Sequence, residues 1–275
     1  MATTGFSVQR TTIRSPRQIP PSSVARRLVV GLSPLLALYV VYTLIRWLLA
    51  SRGESVGVKH AMWLLDFERW LGIDWEQSLQ QRALDHLWLI KAANIYYVYG
   101  FLPVLIVAAV LSAWRAPAAF EQWRRVFAIS LGLALPGYAF FPLAPPRLLP
   151  ASHGYVDTLL LYGPRYYGDA TGSSFFNAYG SLPSTVNVYA AMPSMHVAWS
   201  VIAGILLCAV LAGRWWMRLI AVVHPTLMSG AVVVTANHYL LDVVAGLIVL
   251  LAAIWLSRRW QRRKSDHPGT LATSH

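Results

Sequence analysis

The feature that most limits how this chain can fold is a series of long apolar runs almost free of charge. One of them, LLDVVAGLIVLLAAIW at residues 240–255, holds a single acid and no base. A helix needs roughly 20 residues to cross a hydrocarbon core, and in lipid the backbone must satisfy its own N–H and C=O groups. Only 12% of the 275 residues are charged, where soluble domains carry about 25%. The expected fold class is therefore an all-α integral membrane protein. Six transmembrane helices are expected at about 28–50, 90–114, 124–143, 194–212, 217–236 and 239–257. Pro103, Pro136 and Pro225 fall inside these runs, which membrane helices tolerate better than soluble ones.

Three regions follow from this reading. Residues 1–27 form a basic tail with tandem prolines and little hydrophobicity, expected to be disordered and cytoplasmic. Residues 28–260 form the membrane domain, and 261–275 a second cytoplasmic tail. No small-residue cleavage site ends the first apolar run, so it reads as a retained helix rather than a signal peptide. Between the first two runs, AMWLLDFERWLGIDWEQSLQ spaces its apolar residues helically with charges between them. That pattern fits an amphipathic helix in the membrane interface, its tryptophans at headgroup depth. An extramembrane helix packed on the others is the other reading.

The net charge of +12 has a location. With both termini cytoplasmic, the inner segments hold 15 of the 23 basic residues and two of the 11 acids, leaving 8 bases against 9 acids elsewhere. This is the positive-inside bias, which matches anionic inner-leaflet lipids and removes the case for a nucleic-acid partner. A lone cysteine, Cys208, allows neither an intramolecular disulfide nor a cysteine metal cluster.

The same topology brings two histidines to the outer face. In PSMH, Pro193 and Ser194 are helix-start residues, and a helix start offers free N–H groups and a positive dipole end to an anion. His196 stands in that first turn. In NHYLLD, His238 and Asp242 are four apart and share one helical face. A carboxylate accepting one imidazole N–H leaves the other ring nitrogen available as nucleophile or base. A structural His–Asp pair tying two helices together is the competing account. Arg147, in FPLAPPRLLP at the outer end of the third run, offers a planar fork suited to phosphate. Together these residues can hold a phosphate, attack it and protonate its leaving group.

The series APPRLLP, PSMH and NHYLLD resembles the PAP2 (type 2 phosphatidic acid phosphatase) superfamily over about residues 90–257, most of all its branch of aureobasidin-sensitive inositol phosphorylceramide synthases. The resemblance implies a PAP2-like helical bundle and a lipid phosphatase or phosphotransferase working through a phosphohistidine. His238 would be the nucleophile, Asp242 its orienting group, and His196 the acid toward the leaving group and then the base for the acceptor. Ser194 and Arg147 would hold phosphate oxygens, with no metal and no other cofactor. The implied setting is a bacterial cytoplasmic membrane with an extracytoplasmic site and a lipid phosphate as substrate.

The chain departs from the family pattern at two cations. Phe140 stands where a lysine is usual and Val232 where an arginine is usual; Leu148 also replaces the proline after Arg147. Arg165, His153 and Asn237 are the residues available to fill the gap. With fewer cations, a singly charged phosphodiester suits the site better than a doubly charged monoester, which leans toward headgroup transfer and leaves hydrolysis open. Two other classes remain at this point: a non-catalytic lipid-headgroup binding or transport protein, and a zinc hydrolase built on the same histidines, which no HExxH signature supports. His224 and Pro225, deep in the fifth run, read as packing residues.

Overall fold

The structure is a computed structural model describing residues 21–49, 53–163, 189–211 and 215–266. Its described regular elements are helices: α1 (Pro21–Leu49), α2 (Gly53–Leu71), α3 (Glu76–Leu84), α4 (Leu87–Tyr99), α5 (Leu102–Arg115), α6 (Pro117–Phe140), α7 (Thr158–Tyr162), α8 (Met195–Val210), α9 (Met217–Val234) and α10 (Leu240–Asp266). Among the described residues the only β pairing is an isolated parallel bridge between Leu143 and Ala190. Arg165 lies outside the described residues.

Three boundaries differ from the sequence expectation. α1 starts at Pro21, inside the tail expected to be disordered; proline's fixed φ and missing N–H suit a first helical turn. The expected span 90–114 is two helices, α4 and α5, bent by 43° at Gly100–Phe101. Pro103 sits in the first turn of α5, and its ring would strike the carbonyl four residues back in a continuous helix. The amphipathic segment after the first apolar run is also two helices. α2 stops where Gly72 takes φ +70°, with Gly72 N–H on the Arg69 carbonyl and Ile73 N–H on the Glu68 carbonyl, both at 3.0 Å. That left-handed closure is one glycine adopts without a Cβ penalty.

α8 lies at the centre, packed on α5, α6, α9 and α10. Its Met195, Ala198, Ile202, Ala203 and Leu206 form a core with Leu105 and Ala108 of α5, Val126 and Ala134 of α6, and Leu250 and Ala253 of α10. A Cβ on Gly204 would come within 2.8 Å of the Ala221 Cα, so a glycine there lets α8 and α9 meet backbone to backbone. The outward faces are apolar too, with Leu36, Ile106, Val107, Val222, Ile248 and Leu251 all exposed. An exposed apolar surface of this extent marks contact with another apolar phase. One described helix, Leu240–Arg263, is long and apolar enough to cross a membrane alone, and α4–α5 qualifies as one bent span. Met195–Val210 and Arg218–Val234 are apolar but shorter.

A second cluster builds the end of the bundle that carries the motifs. Ala61, Leu64 and Leu65 of α2 pack on Leu143, Ala144, Leu149, Ala191 and Tyr239. Here three irregular segments interlock. Leu143 N–H donates to the Tyr189 carbonyl at 2.7 Å, Arg147 N–H to the Ala236 carbonyl at 2.9 Å, and Tyr239 Oη to the Ala144 carbonyl at 3.0 Å.

Candidate active site

The turn between α9 and α10 sets the position of His238. α9 closes with Ala236 N–H on the Val233 carbonyl and Asn237 N–H on the Val232 carbonyl, both at 2.9 Å, a paired C-terminal closure. Ala236 occupies its left-handed position at φ 54°, where a non-glycine residue is held only by its surroundings. His238 then faces back over the first turn of α10. Its Nδ1 lies 3.2 Å from Asp242 Oδ2 and its Nε2 lies 3.3 Å from His196 Nδ1. A carboxylate can only accept, so Nδ1 of His238 carries the hydrogen and Nε2 presents its lone pair. His196 Nδ1 is in turn the donor toward that lone pair. His238 and Asp242 are buried, which shields the contact between them from water.

His196 occupies the first turn of α8, with the rings of Tyr97 and Phe101 centred 4.7 and 4.4 Å from its own. These two aromatics come from either side of the α4–α5 bend, so the break that sequence did not anticipate shapes the histidine's pocket. Ser194 is the residue before α8 and is fully buried. It was expected to cap the helix, but its side chain makes no cap bond and Oγ has no partner. Its backbone N–H is instead committed to the Asp242 carbonyl at 3.0 Å. Pro193, expected in the first turn, precedes the helix, its carbonyl accepting from Tyr138 Oη at 2.8 Å. A Cβ on Gly246 would overlap the Ser194 carbonyl oxygen; only glycine lets α10 approach this closely.

Arg147 lies on a 3-10 turn, Pro146–Leu148. Its Nε donates to Asn237 Oδ1 at 2.9 Å and its Nη1 to Asp157 Oδ2 at 2.8 Å, leaving Nη2 outside these bonds. Asn237 Nδ2 donates to Thr235 Oγ1 at 2.8 Å. The structure thus gathers Arg147, Ser194, His196, Asn237, His238 and Asp242 at one end of the bundle. The two departures from the family pattern do not join them. Phe140 ends α6 with 84% of its surface exposed, and Val232 is buried against Val197 and Met228. His153 lies on a separate 3-10 turn. His224 is a packing residue, its Nδ1 2.5 Å from Tyr96 Oη.

Two residues escaped the sequence reading. Glu68 and Glu76 are fully buried; Glu76 Oε1 accepts from Leu240 N–H at 2.6 Å and Glu68 Oε1 from Leu241 N–H at 2.9 Å. Burial, then the neighbouring Glu76, pushes Glu68 up to about 9, and burial raises Glu76 as well. A signal for Glu68 was present, since it continues the apolar stripe Ala61, Leu64, Leu65 at helical spacing. Glu76 reads as an ordinary first-turn acid.

Among known proteins, the phosphoinositol dihydroceramide synthase of Bacteroides thetaiotaomicron is 25% identical over 179 residues, 62% of this chain. The match spans 56% of that relative, so the chain covers little more than half its length. No solved structure matches. The PAP2 superfamily profile matches residues 62–256, beginning inside α2 rather than near residue 90 and so taking in both buried glutamates along with the histidines. With that match over most of its length, the chain belongs to the PAP2 superfamily.

Proposed function

We propose that the protein is a membrane-embedded phosphotransferase that moves the phosphorylated headgroup of a lipid phosphodiester onto a second lipid alcohol, through a phosphohistidine at His238. One observation carries this reading: the continuous relay Asp242–His238–His196, with Ser194 Oγ unpartnered beside it and Arg147 joined to it through Asn237. Asp242 holds the Nδ1–H of His238, and the Nε2 lone pair forms a bond to phosphorus as the bond to the leaving alcohol breaks. That alcohol oxygen takes a proton from His196, acting as the imidazolium. His196 then removes the proton of the acceptor hydroxyl, whose oxygen bonds to phosphorus as the N–P bond breaks, and both histidines are restored. The 3.3 Å contact between the rings must part for the phosphoryl group to enter. Ser194 Oγ, the free N–H groups opening α8, Asn237 and Arg147 are the donors for its oxygens.

The charge at the site supports a phosphodiester. Arg147 is already paired with Asp157, and Phe140 and Val232 supply no charge where the family pattern has cations. A single negative charge is what such a site can neutralise. The Bacteroides relative's name points to the specific form, phosphoinositol transfer to a ceramide-type alcohol. The setting belongs to the same reading: six spans in a bacterial cytoplasmic membrane, termini inside and site outside. The charge distribution and apolar outer faces support it.

The test uses protein in phosphatidylinositol vesicles with a labelled ceramide and EDTA. The expected result is labelled inositol phosphorylceramide with wild type and none with His238→Ala. Release of inositol phosphate without the labelled product identifies water as the acceptor. Lipid binding with neither turnover replaces the enzyme reading with a headgroup-binding or transport role.

A further inference from the structure

Two carboxyl groups outside this mechanism lie against the start of the catalytic helix. Glu68 on α2 and Glu76 at the start of α3 flank Gly72 and reach Leu241 and Leu240, 173 and 164 positions away. Asp242 Oδ2 accepts from Tyr239 N–H at 3.0 Å, so three successive N–H groups opening α10 are each held by a carboxyl. The remaining oxygens, Glu68 Oε2 and Glu76 Oε2, are buried without a hydrogen-bond partner among the described residues, on two carboxyl groups that the adjacent N–H groups of Leu240 and Leu241 hold side by side. Two buried carboxylates on adjacent anchors repel. A carboxyl sharing its proton with a carboxylate satisfies both oxygens, and the pair titrates as a unit.

We propose that Glu68 and Glu76 are positioning residues that share one proton, their joined carboxyls clamping the first turn of α10 so that the Asp242 carboxylate stays against His238. The inference rests on the transfer reaction proposed above, yet the shared proton has consequences of its own. The titratable groups facing the pair are Asp242, Tyr155 and Tyr239, with Arg69 and Asp74 farther out around Tyr155. The nearby carboxylate opposes loss of the shared proton, as do burial and the repulsion within the pair.

In Glu68→Gln the amide oxygen can still accept from Leu241 and the amide N–H can donate to Glu76 Oε2, so the clamp survives without a proton to lose. The first measurement is thermal stability against pH in detergent. Glu68 binds its proton more tightly folded than unfolded, so its contribution is full below its ordinary value of 4.5 and is lost as pH rises toward about 9. Wild type should lose stability across that window and Glu68→Gln should lose markedly less; identical curves overturn the shared proton. The second measurement is transfer kinetics. Wild type should show an alkaline fall in kcat near pH 9 that Glu68→Gln lacks. Glu76→Ala should lower kcat about 10- to 100-fold, as loss of an outer-shell partner does, with KM changed less than threefold. An unchanged kcat in folded Glu76→Ala overturns the positioning role. If wild type turns nothing over, the proposed function fails, and the nitrogen NMR shifts of His238 still decide this inference. Glu76→Ala weakening the Nδ1–H signature supports it, and an unaltered signature overturns it.

Discussion

Two helix starts meet at the site, and they are treated in opposite ways. The start of α10 is saturated, with Tyr239, Leu240 and Leu241 N–H groups held by Asp242, Glu76 and Glu68. The start of α8 is open: Ser194, fully buried, makes no cap and its Oγ has no partner. Both ends have the same dipole and the same unsatisfied donors. A helix start filled by the protein's own carboxyl groups is a fixed mount, and here it mounts His238. A helix start left unfilled in a buried place keeps its donors available to an anion from elsewhere. The two are bound together where Ser194 N–H meets the Asp242 carbonyl at 3.0 Å and Gly246 allows the contact.

This contrast can be broken at several points. The largest effect belongs to the mounted side. His238→Ala should abolish turnover, and Asp242→Asn, by leaving His238 in the wrong tautomer, should lower kcat by about 10⁴-fold, as in other carboxylate–histidine pairs. Single-turnover assays in vesicles measure both. His196→Ala follows, with a loss of about 10²- to 10⁴-fold expected for an acid–base group, smallest when the leaving alcohol is made more acidic. On the open side, Ser194→Ala removes one donor and should cost about 10²-fold in kcat. It should also weaken vanadate protection of the site, whereas Glu68→Gln should leave vanadate protection intact. Gly246→Ala pushes the two starts apart and should destabilise the fold by about 1–3 kcal/mol, read as a lower Tm. Ala236→Gly should be the mildest, removing a left-handed alanine whose strain is about 1 kcal/mol while adding freedom to the unfolded chain, so Tm should barely move.

The motif residues were legible in the sequence as local groups, though the open state of the α8 start was not. Pro193, Ser194 and His196 stand together, and His238 and Asp242 lie four apart, although His238 sits in the turn before α10 rather than on a shared helical face. The all-helical fold was equally plain from its apolar runs. The glutamates that hold the α10 start were not, because they come from far away in sequence. Nothing local to Glu76 points to Leu240, and Asp157 meets Arg147 only through the folding of the intervening turns. Pro103 was read as tolerated inside one span, so the break at Gly100–Phe101 was missed, and its consequence, Tyr97 and Phe101 against His196, depends on packing. Glu68 stands between these cases. Its place on the apolar stripe of α2 marks a carboxylate that folding must bury, without saying what it meets.

The most direct test of the account is a trapping experiment on His238. Protein in vesicles containing phosphatidylinositol labelled in its phosphate is quenched in alkali before acceptor is added, digested and mapped. The account predicts an acid-labile label on the peptide carrying His238, absent from His238→Ala and discharged by a lipid alcohol in wild type. Turnover without any label on His238, or label on a different residue, would contradict it.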